Sequence, residues 1–457
     1  MEALVVKPVI TFREYERKEK RSWRPWGGVQ TREDLREEVG RIERELGSLV
    51  EKADFPLKIL PVSVVEKEED VYSVEKEADV ALVYAASGSL EVLEKITELF
   101  NWTIFFLRHK SGPVYLWYEV IHPRFLRAGT DHFVRKDVTV EDLVVDDYGE
   151  VLWRLRALYA LKSTGKTKIV AVGGTSGWGP LGRHLSPLEA RRKWGLNIVV
   201  VTYSELAEKI KEARKDHRML EESKRLAEEY LKTPGTTLKT SKDFYVNSFL
   251  LYLVFKKLLE EYGAKAITIN ECMATIMPIA ETTACLPLSI LNDEGYIAFC
   301  ESDFVVIPAG ILLHYISGKP VFLVDPTTPH HGVVTVAHCT APRKMNGKNY
   351  EPADILTHFE SDYGAAPKVF FKKGQIVTVV DPDFEDRKWI IFRGKIIESP
   401  SLAICRSQID LEIEGDWKLL LKEMRGFHWV LAYGDYLKEL EYALSKKGIE
   451  VVNITQN

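Results

Sequence analysis

The sequence predicts an α/β protein with two α/β domains, each built on a parallel sheet, and a smaller β-rich, barrel-like domain at the C-terminus. Over most of the chain, short apolar runs alternate with helix-length segments, which is typical of parallel strands joined by crossover helices. After Pro342, short alternating runs separated by glycine and Asp-Pro turns favour an antiparallel sheet or barrel. Because 457 residues exceed the size of one hydrophobic core, we divide the chain into residues 1–165, 166–340 and 341–457.

Composition argues against several classes of protein. The net charge of −5 provides no basic surface, so we expect no nucleic-acid partner. No apolar run approaches the roughly 20 residues that span a bilayer, and the N-terminus lacks the apolar core of a secretory signal, so we expect no membrane association. The five cysteines form no C-x-x-C pair, which predicts reduced thiols and a cytoplasmic protein. They are Cys272, Cys285, Cys300, Cys339 and Cys405.

The first domain is predicted from three apolar runs and two amphipathic segments. Short apolar runs bounded by turns indicate buried strands, whereas apolar residues that recur every three or four positions indicate helices. The predicted strands are Leu57–Val65, Val80–Ala85 and Trp102–Leu107, and the predicted helices are Thr31–Lys52 and Leu90–Phe100.

The second domain begins with an apolar strand, Lys168–Val172, that runs into a glycine-rich turn at residues 173–179. This turn matches neither the dinucleotide-binding nor the Walker pattern. We favour a close approach of the backbone to a polyhydroxy ligand, with Trp178 as a platform for a sugar ring, and keep a dinucleotide site as the alternative. The further strands are Asn197–Tyr203, Ala266–Asn270, Tyr296–Cys300 and Pro320–Val324; the helices are a pair within Ser204–Tyr230, then Phe244–Tyr262, Leu286–Leu291 and Phe304–Ile316.

The last three strands of this domain are each followed by an acid: Glu271, Glu301 and Asp325. The segment from Tyr296 to Val324 has a strand–helix–strand pattern, so we expect its two strands to be parallel neighbours with their acids at one edge of the sheet. Carboxylates a few ångströms apart repel one another unless a cation or a shared proton lies between them. Helix capping and surface ion pairs are the ordinary alternatives for each acid.

Two histidines complete a candidate metal site. Together with Glu301 and Asp325, His338 and His428 form a set of carboxylates and imidazoles that suits Mn²⁺, with Mg²⁺, Co²⁺ and Zn²⁺ as alternatives. Rival ligands are the pair His330–His331 and the segment His358–Glu360, which fall in loops or on an alternating strand.

In the third domain, the predicted strands are Lys368–Phe371, Gln375–Val380, Trp389–Phe392 and Lys395–Ile397, followed by the apolar segment Gly426–Tyr433 and a helix at Asp435–Lys447.

Four segments resemble the L-fucose and L-arabinose isomerase family of metal-dependent ketol isomerases. They are CLPLSILNDEGYIAFCESDF (Cys285–Phe304), SGKPVFLVDP (Ser317–Pro326), AHCTAP (Ala337–Pro342) and GFHWVLAYGDY (Gly426–Tyr436). Glu301 and Asp325 are 24 residues apart, as are the two acids of the fucose-type members. The resemblance covers residues 166–457 and extends to residues 1–165 only by architecture.

The resemblance implies two Rossmann-like α/β domains followed by a β-rich domain, and an assembly of trimers or hexamers in which a neighbour's N-terminal domain completes the pocket. It implies that Glu301 and Asp325 bind the metal and transfer protons. It also implies that His428 is a distal metal ligand, and that His338 matches a further histidine of the arabinose-type members. The chain is shorter than typical fucose isomerases, and its N-terminal domain has no motif to transfer.

We therefore expect an aldose–ketose isomerase that acts on a free pentose or hexose through an enediol, with Mn²⁺ as cofactor, Glu301 and Asp325 as catalytic residues, and Trp178 and Glu271 near the substrate. Two hypotheses from other classes stay open. One is a non-catalytic sugar-binding or regulatory relative of the same fold, and the other is a metal-dependent lyase or hydrolase.

Overall fold

The computed structural model describes residues 2–456, and the chain divides into two compact units, residues 1–159 and residues 160–457. The boundary between the two units lies between residues 159 and 160, and the ranges 166–340 and 341–457 both belong to the second unit. The parallel sheets and the C-terminal barrel of the predicted fold are present.

The first unit contains a six-stranded sheet in which every pair is parallel. The strands are β1 (Leu4–Thr11), β2 (Leu57–Ile59), β3 (Ser63–Val65), β4 (Val80–Ala85), β5 (Trp102–Leu107) and β6 (Leu143–Val145). The helices are α1 (Arg32–Lys52), α2 (Glu68–Val71), α3 (Leu90–Leu99), α4 (Leu116–Val120) and α5 (Tyr148–Gly165), with a π-helix at Ile121–Leu126 and a 3-10 turn at Val140–Asp142. The strand order is β2-β1-β4-β5-β6, and β3 also pairs with β1.

The predicted strands β4 and β5 are confirmed, and the predicted strand Leu57–Val65 is two short strands that pair in succession with β1. Sequence reasoning missed β1, because Lys7 and Pro8 interrupt its apolar run. Lys7 is 2% exposed, and its Nζ donates to the carbonyl of Pro61 at 2.7 Å and to Glu75 at 2.6 Å. These two bonds make burial of the charged group tolerable.

A buried ionic network joins helix α1 to the end of strand β5. Arg108, which follows β5, is fully buried; its Nε donates to Glu38 at 2.5 Å and its Nη2 donates to Glu45 at 2.6 Å. The hydroxyl of Tyr115 donates to the same oxygen of Glu38 at 2.6 Å. Each charge therefore has a hydrogen-bonded partner, and removal of Arg108 would leave the buried carboxylate of Glu38 without its shortest ionic contact.

We expect Arg108→Met to lower the free energy of unfolding of the first unit by about 3–5 kcal/mol, because Glu38 would stay buried without its main partner. Hydrogen exchange of α1 and β5 in the full chain measures this loss. Arg32→Met, which removes an exposed arginine paired with Glu66, is the control and should change the exchange far less. Equal exchange in the two variants would contradict the assigned role of Arg108.

The second unit begins with a four-stranded parallel sheet of strand order β11-β10-β7-β8. Its strands and an associated short strand are β7 (Lys168–Val172), β8 (Asn197–Val201), β9 (Thr236–Leu238), β10 (Ala266–Ile269) and β11 (Ile297–Cys300). The helices are α6 (Gly179–Arg192), α7 (Tyr203–Ala213), α8 (His217–Leu231), α9 (Lys242–Tyr262), α10 (Met277–Ala280), α11 (Cys285–Asp293) and α12 (Ile307–Ser317), and residues Cys272–Ile276 form a π-helix.

A closed antiparallel barrel of six strands follows, in the cyclic order β16-β19-β12-β13-β18-β17. The strands of this region are β12 (Phe322–Pro326), β13 (Val333–His338), β14 (Ala353–Leu356), β15 (Ala366–Val369), β16 (Ile376–Asp381), β17 (Lys388–Glu398), β18 (Ser407–Glu414), β19 (Trp429–Tyr433) and β20 (Glu450–Asn453). The helices are α13 (Trp417–Glu423) and α14 (Leu437–Lys446). Strand β20 extends the barrel in parallel with β17, whereas β14 and β15 form a small separate sheet with β9.

The predicted parallel pairing of the strands around residues 296–300 and 320–324 is wrong. Strand β12 pairs antiparallel with β13 and β19, so Asp325 belongs to the barrel, and the barrel begins before residue 341. Helix α12 is buried along its whole length because it packs between the sheet and the barrel. A Cβ on Gly310 would lie 2.5 Å from the ring of Phe299 in β11 and 3.5 Å from Val430 in β19. An apolar run shows that a strand is buried, but it does not specify which strand pairs with it.

Among residues 2–456, no single helix is both long and apolar enough to cross a membrane. One bent pair, Cys272–Ala280 and Cys285–Asp293, meets that criterion by length and composition alone, with an angle of 92° between its halves. Every residue of α11, the second half of the pair, is buried in the second unit.

Asp293, the last residue of α11, is a buried acid with an incomplete hydrogen-bond set. One oxygen accepts the backbone N–H groups of Arg343 at 2.8 Å and Lys344 at 2.7 Å, and the other oxygen has no partner among the described residues. Burial raises the pKa of Asp293 to about 7, and the two backbone bonds offset only part of that rise. A folded-state pKa above the unfolded value means that stability is complete below about pH 4 and is lost as the pH rises through 7.

We expect Asp293→Asn to remove the loss of folding stability that the wild type shows as the pH rises through 7, because asparagine keeps the accepting oxygen but does not ionise. Between pH 5 and pH 8 the wild type should lose about 2 kcal/mol more than the variant. Calorimetric unfolding of the full chain at both pH values measures the difference. Asp243→Asn, at an exposed helix start, is the matched control. Parallel pH curves for wild type and Asp293→Asn would refute the assignment.

Candidate metal centre

The turn after strand β11 holds Glu301 in a strained backbone conformation. Glu301 and Ser302 have φ angles of 64° and 48°, in the left-handed region that non-glycine residues rarely adopt. Two hydrogen bonds hold this turn. The N–H of Ser302 donates to the Thr268 hydroxyl at 3.1 Å, and the N–H of Ser176 donates to the Ser302 carbonyl at 3.1 Å. Strain of about 1–3 kcal/mol per residue persists only where the surroundings impose it, and such positions cluster at functional sites.

The register of three barrel strands brings the other candidate residues to this turn. Strand β12 lies between β13 and β19, with Asp325 opposite Ala337 and Val324 opposite Trp429. His338 directly follows Ala337, and His428 directly precedes Trp429. The antiparallel pairing therefore places Asp325, His338 and His428 at one end of the barrel.

The four predicted ligands converge. The Nε2 of His428 is 3.3 Å from Oδ1 of Asp325 and 3.4 Å from Oε2 of Glu301. The Nε2 of His338 is 3.7 Å from Oε1 of Glu301. Donor atoms of Asp325, His338 and His428 all lie within 4.8 Å of one another, so these three residues could hold a metal ion.

Three polar atoms at this point are buried and have no hydrogen-bond partner within residues 2–456: Oδ1 of Asp325, Nε2 of His338 and Nε2 of His428. The histidines are only 3% and 4% exposed. Buried polar atoms are nearly always hydrogen-bonded. Three buried atoms that face one another without such a partner therefore indicate that one bound group contacts all three. One divalent cation would satisfy all three, and carboxylate and imidazole donors suit such an ion.

Two residues that sequence reasoning missed orient the histidines. The Nδ1 of His428 contacts Oδ2 of Asp303 at 2.6 Å, and the Nδ1 of His338 contacts the hydroxyl of Thr340 at 3.1 Å. An imidazole whose Nδ1 is engaged turns its Nε2 towards the ligand, which is the usual arrangement around a metal. Spacing is the sequence feature that could have identified these two residues. Asp303 lies two residues after the predicted ligand Glu301, and Thr340 lies two residues after the predicted ligand His338.

The two histidines offset the negative charge of the carboxylates in this cluster. Burial alone would raise the pKa of Glu301, but the adjacent imidazoles of His338 and His428 hold that pKa well below its usual range. Burial lowers the pKa of His338, but Asp325 and Glu301 together raise it to about 9. Asp303 and Glu301 likewise outweigh burial and raise the pKa of His428 to about 10, whereas burial dominates for Asp325 and raises its pKa. A bound cation would replace the imidazole protons, so binding should release protons.

An open cleft of about 730 Å³ leads to the cluster. Glu301 and His428 line it from the cluster side, while Asp325 and His338 lie outside its lining. Trp178 and Glu271, which were predicted to lie near the substrate, both line this cleft. Trp178 packs edge-on against Phe427, with ring centroids 5.4 Å apart, and both rings are about half exposed.

The rival ligands take no part in the cluster. His330 bonds through Nδ1 to the carbonyl of Thr328 at 3.0 Å, and His330 and His331 are both exposed. His358 is buried and bonds to the hydroxyl of Ser361 at 3.1 Å, while Glu360 is exposed.

The fold and the site therefore define an α/β protein with a C-terminal barrel and a candidate divalent-cation centre. Neither the protein-family models nor the curated proteins compared with this chain include a match. The isomerase resemblance consequently depends on the four sequence segments described above.

We expect Asp303→Asn to weaken Mn²⁺ binding by about 10–100-fold. Oδ1 of Asp303 accepts the N–H groups of Trp178 and Val305, so an asparagine would keep its oxygen there and turn its amide N–H₂, which accepts no hydrogen bond, towards Nδ1 of His428. Isothermal titration of the full chain with Mn²⁺ measures the change. Glu271→Gln, at the exposed wall of the same cleft, is the control and should bind like wild type. Unchanged affinity in Asp303→Asn would show that this contact does not organise the centre.

Proposed function

We propose that this protein is a metal-dependent aldose–ketose isomerase that acts on a free pentose or hexose through an enediol. The observation that carries the proposal is the convergence of three buried ligand atoms, without hydrogen-bond partners among the described residues, beside Glu301 at the end of an open cleft of about 730 Å³ that is large enough to admit a monosaccharide. Asp325, His338 and His428 would hold the ion, with Glu301 beside them. We propose Mn²⁺, because oxygen and nitrogen donors dominate, with Mg²⁺, Co²⁺ and Zn²⁺ as alternatives.

Aldose–ketose conversion moves a proton between two neighbouring carbons. A bound divalent ion supplies Lewis acidity, which polarises the substrate's carbonyl and hydroxyl oxygens. The chain itself must supply one group that accepts the carbon-bound proton and another that returns a proton to the adjacent carbon.

Glu301 and Asp325 have the properties that this proton transfer requires. Glu301 lines the cleft, and its lowered pKa keeps it ionised, so it can accept a proton from a bound sugar. Asp325 lies deeper, and burial raises its pKa, so it retains a proton more readily. Two neighbouring carboxyl groups whose pKa values diverge are typical of an acid–base pair.

The cleft walls suit a polyhydroxy ligand. Trp178 and Phe427 expose aromatic surface for the apolar face of a sugar ring, and Glu271 can accept hydrogen bonds from its hydroxyl groups.

We also propose that the protein works as a homo-oligomer, a trimer or hexamer, in which the N-terminal domain of a neighbour closes the cleft. A cytoplasmic location agrees with the five free cysteines, which form no disulfide within residues 2–456.

A ketose-forming assay over a panel of free aldoses, with and without Mn²⁺, tests the proposal. We expect Mn²⁺-dependent ketose formation, and we expect Glu301→Gln to lower kcat by about 10²-fold or more at saturating Mn²⁺, because the amide cannot accept the proton. Glu360→Gln, an exposed acid away from the cluster, should keep full activity.

The same assay, combined with measurements of the metal and the sugar bound to the purified protein, separates the other hypotheses. Bound Mn²⁺ with no ketose from any aldose would favour a lyase or hydrolase, and sugar binding without bound metal would favour a non-catalytic relative. Full turnover in Glu301→Gln would remove this residue from the proton transfer.

A further inference from the structure

Two thiols lie in contact at the mouth of the candidate metal centre. The sulfur atoms of Cys272 and Cys300 are 3.3 Å apart. Cys300 ends strand β11, directly before Glu301, and is 3% exposed. Cys272 follows the neighbouring strand β10, is partly exposed and lines the cleft. The parallel pairing of β10 with β11 accounts for this proximity, because the carboxyl ends of the two strands are adjacent.

The thiol pair adjoins two of the proposed metal ligands. Cys300, Glu301 and His338 each have one donor atom that lies within 4.8 Å of the donor atoms of the other two. His338 is 3% exposed, its Nδ1 is engaged by Thr340, and its Nε2 has no partner. The same nitrogen is therefore available either to the barrel ligands or to the thiols.

We propose that Cys272, Cys300, Glu301 and His338 form a second cation position, selective for a thiophilic ion such as Zn²⁺ or Cd²⁺. Thiolate donors favour these ions over Mn²⁺ and Mg²⁺, and two sulfurs with one nitrogen and one oxygen make up a four-coordinate set. Binding replaces the two thiol protons and the Nε2 proton of His338, all of which leave to solvent, and involves no change of oxidation state. The ion reaches the site along the cleft, past the partly exposed Cys272.

The two positions exclude each other. One imidazole nitrogen binds one ion, so an ion held by the thiols takes His338 from the centre formed with Asp325 and His428. A thiophilic ion should therefore displace Mn²⁺ and inhibit any reaction that depends on it. The thiolate position itself does not depend on the isomerase proposal.

The chain provides a matched control for the thiols. Cys285, Cys339 and Cys405 form a separate cluster around Ala366. Cys405→Ser removes a thiol from that cluster and leaves Cys272 and Cys300 intact.

The test is a Cd²⁺ titration of the reduced full-length protein, followed by the ultraviolet charge-transfer absorption of cadmium thiolates. We expect one Cd²⁺ per chain with the absorption of two thiolates. Cys300→Ser and Cys272→Ser should each weaken Cd²⁺ binding by roughly tenfold or more, whereas Cys405→Ser should bind like wild type. Loss of the signal in Cys405→Ser, or its retention in Cys300→Ser, would overturn the proposal.

A second measurement needs no variant and covers the case in which Cys300→Ser fails to fold. Alkylation of the wild type by iodoacetamide, mapped by mass spectrometry, should slow at Cys272 when Cd²⁺ is present. Equal alkylation rates with and without Cd²⁺ would refute the site.

Competition with Mn²⁺ separates this proposal from the proposed function. Paramagnetic resonance of free Mn²⁺ should show Mn²⁺ released from the wild type by one equivalent of Cd²⁺, and Cys300→Ser should require roughly tenfold more. If the protein binds no Mn²⁺ but gives the cadmium–thiolate signal, the barrel centre fails and the thiolate site stands. Simultaneous binding of both ions would overturn the mutual exclusion.

Discussion

The contact between Asp303 and His428 is the interaction on which the site depends. It joins a turn after the parallel strand β11 to the start of the barrel strand β19 over 2.6 Å, and both side chains are almost fully buried. Glu301 is carried by the same turn, while Asp325 and His338 are carried by strands beside β19. This contact engages Nδ1 of His428 and turns its Nε2 towards Glu301 and Asp325, so that His428 joins His338 as a positive partner of the two carboxylates.

The glycine-rich turn before helix α6 supports this arrangement through close backbone packing. A Cβ on Gly177 would lie 2.5 Å from the carbonyl oxygen of Gly182, so only glycine fits there. The turn thereby brings Ser176 against the strained Ser302 and presents the N–H of Trp178 to Asp303 at 3.2 Å. Glycine at position 177 thus lets the turn approach the site closely.

The candidate metal centre has two different sets of donor atoms, because the antiparallel barrel supplies one set and the parallel sheet supplies the other. The barrel supplies Asp325, His338 and His428, a set of hard and intermediate donors, while Cys300 ends the parallel strand β11 and Cys272 follows the parallel strand β10. His338 lies between the two sets of donors, and its Nε2 has no hydrogen-bond partner among the described residues. In the proposed scheme, the softness of the donors decides which cation each position prefers.

Sequence alone determined the features that depend on local order: most strands and helices, the change to antiparallel strands late in the chain, and four of the residues that meet at the centre. It also identified Trp178 and Glu271, which share the cleft. Only the tertiary structure decided that β12 joins the barrel, that Asp303 and Thr340 orient the histidines, and that Cys272 touches Cys300. Strand partners and side-chain contacts between residues up to 125 positions apart depend on long-range pairing. An apolar run of four or five residues shows that a strand is buried, but it does not specify which strand pairs with it.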